Sequence, residues 1–177
     1  MRYIQRVQII FFKENRMKKI TVLIMFLFVL TTASVFATGL GIQAGPTFGH
    51  GGFNPNFAVT FKLNSSPWVF AVDGYFTDYA GGVGISADQW VINQAIASPI
   101  NFYFGWGIYV GMGFTQNSSF DVAFGGRAPI GINAFLFKKQ FEPYIQIVPS
   151  IGARFGTSGF SFPDWGVAGN IGFRFWF

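Results

Sequence analysis

Beyond residue 37 the chain repeats a large apolar side chain at every second position. The clearest run is Phe102, Phe104, Trp106, Ile108, Val110, Met112 and Phe114, set against Asn101, Tyr103, Gly105, Gly107, Tyr109, Gly111 and Gly113. A period of two places successive side chains on opposite faces of an extended strand. The segment is therefore predicted to be a strand with one greasy face and one small or polar face.

The same alternation recurs on either side. Leu40, Ile42 and Ala44 oppose Gly41, Gln43, Gly45 and Thr47; Phe57, Val59, Phe61 and Leu63 oppose Asn56, Ala58, Thr60 and Lys62. Trp68, Phe70, Val72 and Phe76 oppose Val69, Ala71, Asp73, Tyr75 and Thr77. Phe120, Val122, Phe124, Ile130, Ile132 and Ala134 oppose Asp121, Ala123, Gly125, Arg127, Gly131 and Asn133. Ile145, Ile147, Pro149 and Ile151 oppose Tyr144, Gln146, Val148, Ser150, Gly152 and Arg154. At the C-terminus Trp165, Val167, Gly169, Ile171, Phe173, Phe175 and Phe177 oppose Gly166, Ala168, Asn170, Gly172 and Arg174, with Trp176 out of place on the polar side.

Val83 to Ala97 begins in phase and slips near Asp88-Gln89 before Trp90 and Ile92, which predicts a bulged strand; a short helix over Asp88 to Ala97 is the alternative. Pro46, Pro129 and Pro149 lie within strand patterns, where a missing N–H demands a bulge, a bend or an end.

The total is eight strands, most near the roughly 9 to 11 residues that cross a bilayer when tilted. Tight turns are expected at Asn64 to Pro67, Ser98-Pro99 and Lys138 to Gln140, and looser loops at His50 to Pro55, Asp78 to Gly82, Thr115 to Ser119 and Phe155 to Asp164. No apolar run after residue 37 reaches the 18 residues of a membrane helix. The fold class expected is all-β: an eight-stranded antiparallel up-and-down transmembrane β-barrel over 38–177.

Volume and charge decide which face is outside. Eight strands enclose a space only just wide enough for side chains or one small ligand, and residues 38–177 hold 20 of the chain's 25 phenylalanines. A soluble carrier with the greasy face inward would have to fit them there. Lys62, Asp73, Asp121, Arg127, Glu142, Arg154 and Arg174 all fall on the small or polar face. A basic side chain turned to mid-membrane lipid costs roughly 2–4 kcal/mol. The expected arrangement is greasy face outward, with these seven forming an ion-pair network in the lumen beside Tyr75, Tyr103, Tyr109 and Tyr144.

Composition agrees, with 51% hydrophobic, 20% aromatic and 11% charged residues, far fewer charges than the roughly 25% of soluble domains. The net charge of +5 belongs to residues 1–37, where six bases meet one acid; residues 38–177 balance six against six. A nucleic-acid partner thereby loses its support. The leader reads as a secretory signal: Met17-Lys18-Lys19, an apolar stretch from Ile20 to Leu30, and Val35-Phe36-Ala37 as a small-x-small site, with cleavage expected after Ala37 and Met17 as the expected true start. The chain has no cysteine, so neither disulfides nor a lipid-anchored cysteine is expected.

Candidate chemistry is sparse. His50, with Ser118 or Ser119 and Asp78 at the same rim, has the residue types of a nucleophile, base and orienting acid, but polar rim residues are the simpler reading. No His or Cys cluster suits a metal. The glycines of 39–45 and 105–113 alternate within strands and lack the lysine of a phosphate loop, so they read as small interior residues beside tyrosines and ions. No catalytic residue, cofactor or metal is expected.

With these features assembled, the chain resembles small outer-membrane barrels of the OmpA and OmpX type. "GGRAPIGINAF" (125–135) with "FEPYIQIVPSIGARF" (141–155) is more narrowly similar to a family of small outer-membrane proteins of spirochaetes, which brings no catalytic residue with it. The resemblance implies that the final Phe177, with Phe175 and Phe173, is an insertion signal read by the outer-membrane insertion machinery. A monomeric, non-enzymatic protein among outer-membrane lipid is the expected whole. An extracellular ligand or host protein is the expected partner of the outer loops, notably Phe160, Phe162 and Trp165; a narrow pore and a rim acyl hydrolase or transferase are the alternatives.

Overall fold

The computed structural model describes residues 38–50, 52–76, 80–115, 119–157 and 159–177. The leader and its cleavage site lie outside the described residues, as do Asp78 and Ser118. The strands are β1 (Thr38–Gly49), β2 (Gly52–Leu63), β3 (Trp68–Phe76), β4 (Ala80–Ala97), β5 (Ile100–Thr115), β6 (Phe120–Arg127), β7 (Ile130–Ala134), β8 (Phe141–Gly156) and β9 (Gly159–Trp176).

Every pairing is antiparallel, and the sheet closes on itself. Each strand from β1 to β4 pairs with the next, β4 pairs with β5, β8 with β9, and β9 returns to β1. β6 and β7 share one position, both lying between β5 and β8. Nine segments therefore build the eight positions expected, and Pro129 marks the break. The ladder is bridged there by Gly105 donating to the Pro129 carbonyl and Ala128 donating to that of Pro149. Pro46 has a similar solution: the β1–β9 ladder skips from Ala44 to Thr47, where proline has no N–H to give.

Following partners sideways from Gly39 through Lys62, Val69, Asp88, Gly107, Arg127, Ser150 and Gly166 returns to β1 at Gly49, ten residues further along. That stagger tilts the strands by about 40°. Closure leaves no free edge over the barrel wall, so the backbone's polar groups are satisfied within the sheet.

Two expectations are corrected. The slip in β4 lies at Val91 rather than at Asp88-Gln89: Trp90 pairs with Gly105 and Ile92 with Phe104, so Val91 is the extra residue. Extended backbone continues to Ala97, which rules out the helix. Among the described residues two of the expected loops, His50 to Pro55 and Phe155 to Asp164, are also absorbed by strands. β1 and β2 are paired up to Gly49 and Gly52, and β8 and β9 up to Gly156 and Gly159.

The faces sort as expected. Ile42, Phe57, Val72, Ile85, Ile108, Phe124, Ile147 and Ile171 are exposed on the outside. The buried set is Trp90, Tyr103 and Tyr144 with Lys62, Glu142, Asn133, Gln146 and Arg174, and it occupies the lumen. Tyrosines fit there because glycines on neighbouring strands make room. At Gly131 a Cβ would sit 2.6 Å from the Tyr103 ring and press into the Ile145 carbonyl.

Candidate functional site: a plugged lumen with an open vestibule

At the barrel end that carries Thr38 and Phe177, the lumen is closed by buried side chains. Glu142 on β8 accepts from Arg174 Nη1 on the adjacent β9 (3.1 Å), from Asn133 Nδ2 (2.5 Å) and from Trp176 Nε1 (2.9 Å). Arg174 and Glu142 are 1% and 0% exposed, which makes this pair the most enclosed charge in the barrel. The odd parity of Trp176 now has a reason: it faces inward to donate to Glu142.

The Arg174 guanidinium lies 4.1 Å from the centre of the Tyr144 ring and 5.3 Å from that of Trp90, which itself stacks on Tyr103 at 4.0 Å. Hydrogen bonds run upward from these rings. Tyr103 donates to Gln146 Oε1 (2.9 Å), while Tyr144 and Gln146 both donate to Gln43 Oε1 (3.0 and 3.1 Å). Aromatic faces and amides here replace the water that a buried ion pair has lost.

Above the plug lies a cavity of about 340 Å³, floored by Gln43 and Asn170, lined by Asp73, Tyr75, Tyr109 and Arg154, and reaching Gly49 and Gly52 of the β1–β2 hairpin. Two ion-pair groups hold its walls. Arg154 on β8 grips Asp121 on β6 (2.8 Å) and Asp164 on β9 (3.0 Å). Arg127 on β6 reaches Asp88 on β4 (3.0 Å) across β5, where Gly107 stands between them in register. An alanine at Gly107 would drive its Cβ into the Asp88 carboxylate, so the pair depends on a bare backbone.

Of the seven lumen residues expected from sequence, Asp121, Arg127, Glu142, Arg154 and Arg174 stand in ion pairs. Lys62 and Asp73 are in the lumen but make no direct ion pair among the described residues, Glu142 and Arg127 acting on them only from a distance. Lys62 instead donates to the Ser66 carbonyl (3.4 Å) and lies over the Trp90 ring at 4.7 Å.

Two acids of the lumen, Asp88 and Asp164, escape the periodic reading of the sequence. Placing the slip too early obscures Asp88, and reading 155–164 as a loop obscures Asp164. Both carry a parity signal, since Asp88 is in phase with Ser86 and Asp164 with Asn170 and Arg174. Gly152 and Arg154 face Asp164 and Ser161, so β9 carries an extra residue around Phe162-Pro163, and Asp164 falls on the lumen side of it.

Tyr103 and Tyr144 are hydrogen-bonded as expected, whereas Tyr75 and Tyr109 face the cavity. His50 is exposed, and its backbone N–H donates to the Trp165 carbonyl (3.0 Å). Its candidate companions Asp78 and Ser118 lie outside the described residues. Phe175 and Phe177 are exposed, and Phe173 is half-buried against Phe141.

This closed, tilted barrel with an apolar exterior and charged interior defines the chain's class: it has the fold of an outer-membrane β-barrel. It matches the crystal structure of Neisserial surface protein A with a TM-score of 0.53 and 15% identity, over 80% of this chain and 97% of that one. At such identity the likeness shows the fold alone. A major outer membrane protein from Thermus thermophilus aligns over 80% of this chain and 100% of that one at 14% identity, but its TM-score of 0.43 adds nothing to the assignment. No protein-family model and no curated sequence matches the chain.

Proposed function

We propose that the chain is a monomeric, non-enzymatic integral protein of a bacterial outer membrane, exported by its leader with cleavage after Ala37, with a structural or surface-interaction role. The observation that carries this reading is the sorting of side chains. Ile108, Ile147 and Ile171 are 60%, 58% and 67% exposed, as outer-membrane lipid would have them, while the charges of the wall turn inward. A soluble protein with so continuous an exposed apolar belt would aggregate.

Eight positions put the start of β1 and the end of β9 at the plugged end, which barrels of this kind keep in the periplasm; the hairpin end then faces outward. There Phe160 and Phe162, 63% and 66% exposed, with Trp165, offer contact to an extracellular ligand or host protein, as in adhesion. Phe173, Phe175 and Phe177 serve as the insertion signal. The similarity to the spirochaetal family belongs to the same proposal. The buried Arg174–Glu142 plug argues against a conducting pore, and planar bilayers should show no discrete conductance steps.

The test uses the absence of native cysteine. On intact cells a membrane-impermeant maleimide should label Thr157→Cys in the β8–β9 hairpin and leave Lys138→Cys in the opposite turn unlabelled. Labelling of Lys138→Cys alone would overturn the orientation. Labelling of neither, in protein whose gel mobility does not change on boiling, would overturn the barrel reading itself.

A further inference from the structure

We infer that the vestibule of the lumen binds a small organic cation, with Asp73 as its anchoring carboxylate. With Asp88 behind its wall, this half of the barrel holds Asp73, Asp88, Asp121 and Asp164 against Arg127 and Arg154. The two guanidinium groups are committed: Arg127 to Asp88 at 3.0 Å, and Arg154 to Asp121 and Asp164 at 2.8 and 3.0 Å. Asp73 is left as the carboxylate that forms no ion pair among the described residues; Arg127, which acts on it from a distance, is already engaged by Asp88, and Asp73 lines the cavity.

A second group points the same way independently. Asn170 lines the cavity floor, is 3% exposed, and its Oδ1 has no hydrogen-bond partner. A buried acceptor without a donor costs about 1–3 kcal/mol, a deficit that a donor-bearing guest would remove. The two cavity tyrosines, Tyr75 and Tyr109, add π faces of the kind that attract ammonium and guanidinium groups. Arg127 Nε faces Asp88 at 3.0 Å without hydrogen-bond geometry; Asp73, Asn170 Oδ1 and the two tyrosine rings are left as acceptors and ring faces, so the complementary guest carries positive charge and N–H donors.

The size of the site separates an organic cation from a metal ion. A volume of about 340 Å³ lies within the range of small-molecule sites. A hard cation would want six or more converging oxygens, and no three acidic or histidine side chains among the described residues converge enough to hold one. The occupant is thus a primary amine or guanidinium compound small enough to pass the hairpin rim.

The experiment is calorimetric titration of the detergent-folded barrel with putrescine, and in parallel with 1,4-butanediol, which has the same length and no charge. Putrescine should bind and the diol should not. Asp73→Asn should weaken binding tenfold or more, and Asn170→Ala should weaken it by a smaller factor. Asp73→Asn strands no partner and should fold, which its gel-mobility change on boiling reports; failure of that change would speak to the barrel reading instead. No heat with folded wild type, equal binding of the diol, or unchanged affinity in folded Asp73→Asn would overturn the site.

Discussion

Replacing Arg174 with methionine separates the energetics of the plug from its shape. Methionine keeps an unbranched chain of similar reach and removes the guanidinium from a site that is 1% exposed. Glu142, at 0% exposure, then keeps only the donors of Asn133 and Trp176. Breaking a buried pair on one side costs about 3–5 kcal/mol. The two remaining donors soften that, while the lost contact of the guanidinium with Tyr144 at 4.1 Å adds to it. A loss of about 3 kcal/mol is the expected net.

With a urea slope of roughly 1–3 kcal/mol per molar, the unfolding midpoint of the barrel in lipid vesicles should fall by about 1–3 M. Tryptophan fluorescence is a suitable readout because Trp90 and Trp176 both touch the plug. The double variant Arg174→Met with Glu142→Gln removes both charges and should recover most of the loss. A single variant within about 0.5 kcal/mol of wild type, or a double variant as weak as the sum of the singles, would refute the claim that a desolvated pair governs this end of the lumen.

Gly131→Ala should destabilise the barrel by about 1–3 kcal/mol, because its Cβ would press on the Tyr103 ring and a fixed carbonyl. Gly169→Ala, with nothing within 4 Å, should lie within about 0.5 kcal/mol of wild type in the same urea titration. Ile171→Arg on the outer face should cost roughly 2–4 kcal/mol in vesicles; a neutral result would mean that this face does not meet lipid. Phe177→Ser should lower the fraction of protein that reaches the boiling-sensitive barrel form in cells while leaving refolding in detergent unchanged, which separates an insertion signal from a packing role.

The two-faced strands, their number and the inward direction of the charges were legible in the linear chain, because a side chain's face in a strand follows its parity and parity is local. Arg174 among aromatics is the plainest case: one charged residue between Phe173 and Phe175 tells inside from outside. What the chain alone could not yield was which charge meets which. Arg127 finds Asp88 from two strands away because the β4–β5 and β5–β6 registers put both opposite Gly107, which leaves the way open. The bulges at Val91 and around Phe162-Pro163 lie just beyond Asp88 and just before Asp164, so both acids keep the parity of the lumen face, which a slip placed too early and a loop read over 155–164 conceal. The division into a dry plug and an open vestibule, and Asp73 standing outside the ion pairs of the described residues, arise only when eight positions close. Pairing across a barrel depends on register between distant segments, and no local pattern encodes it.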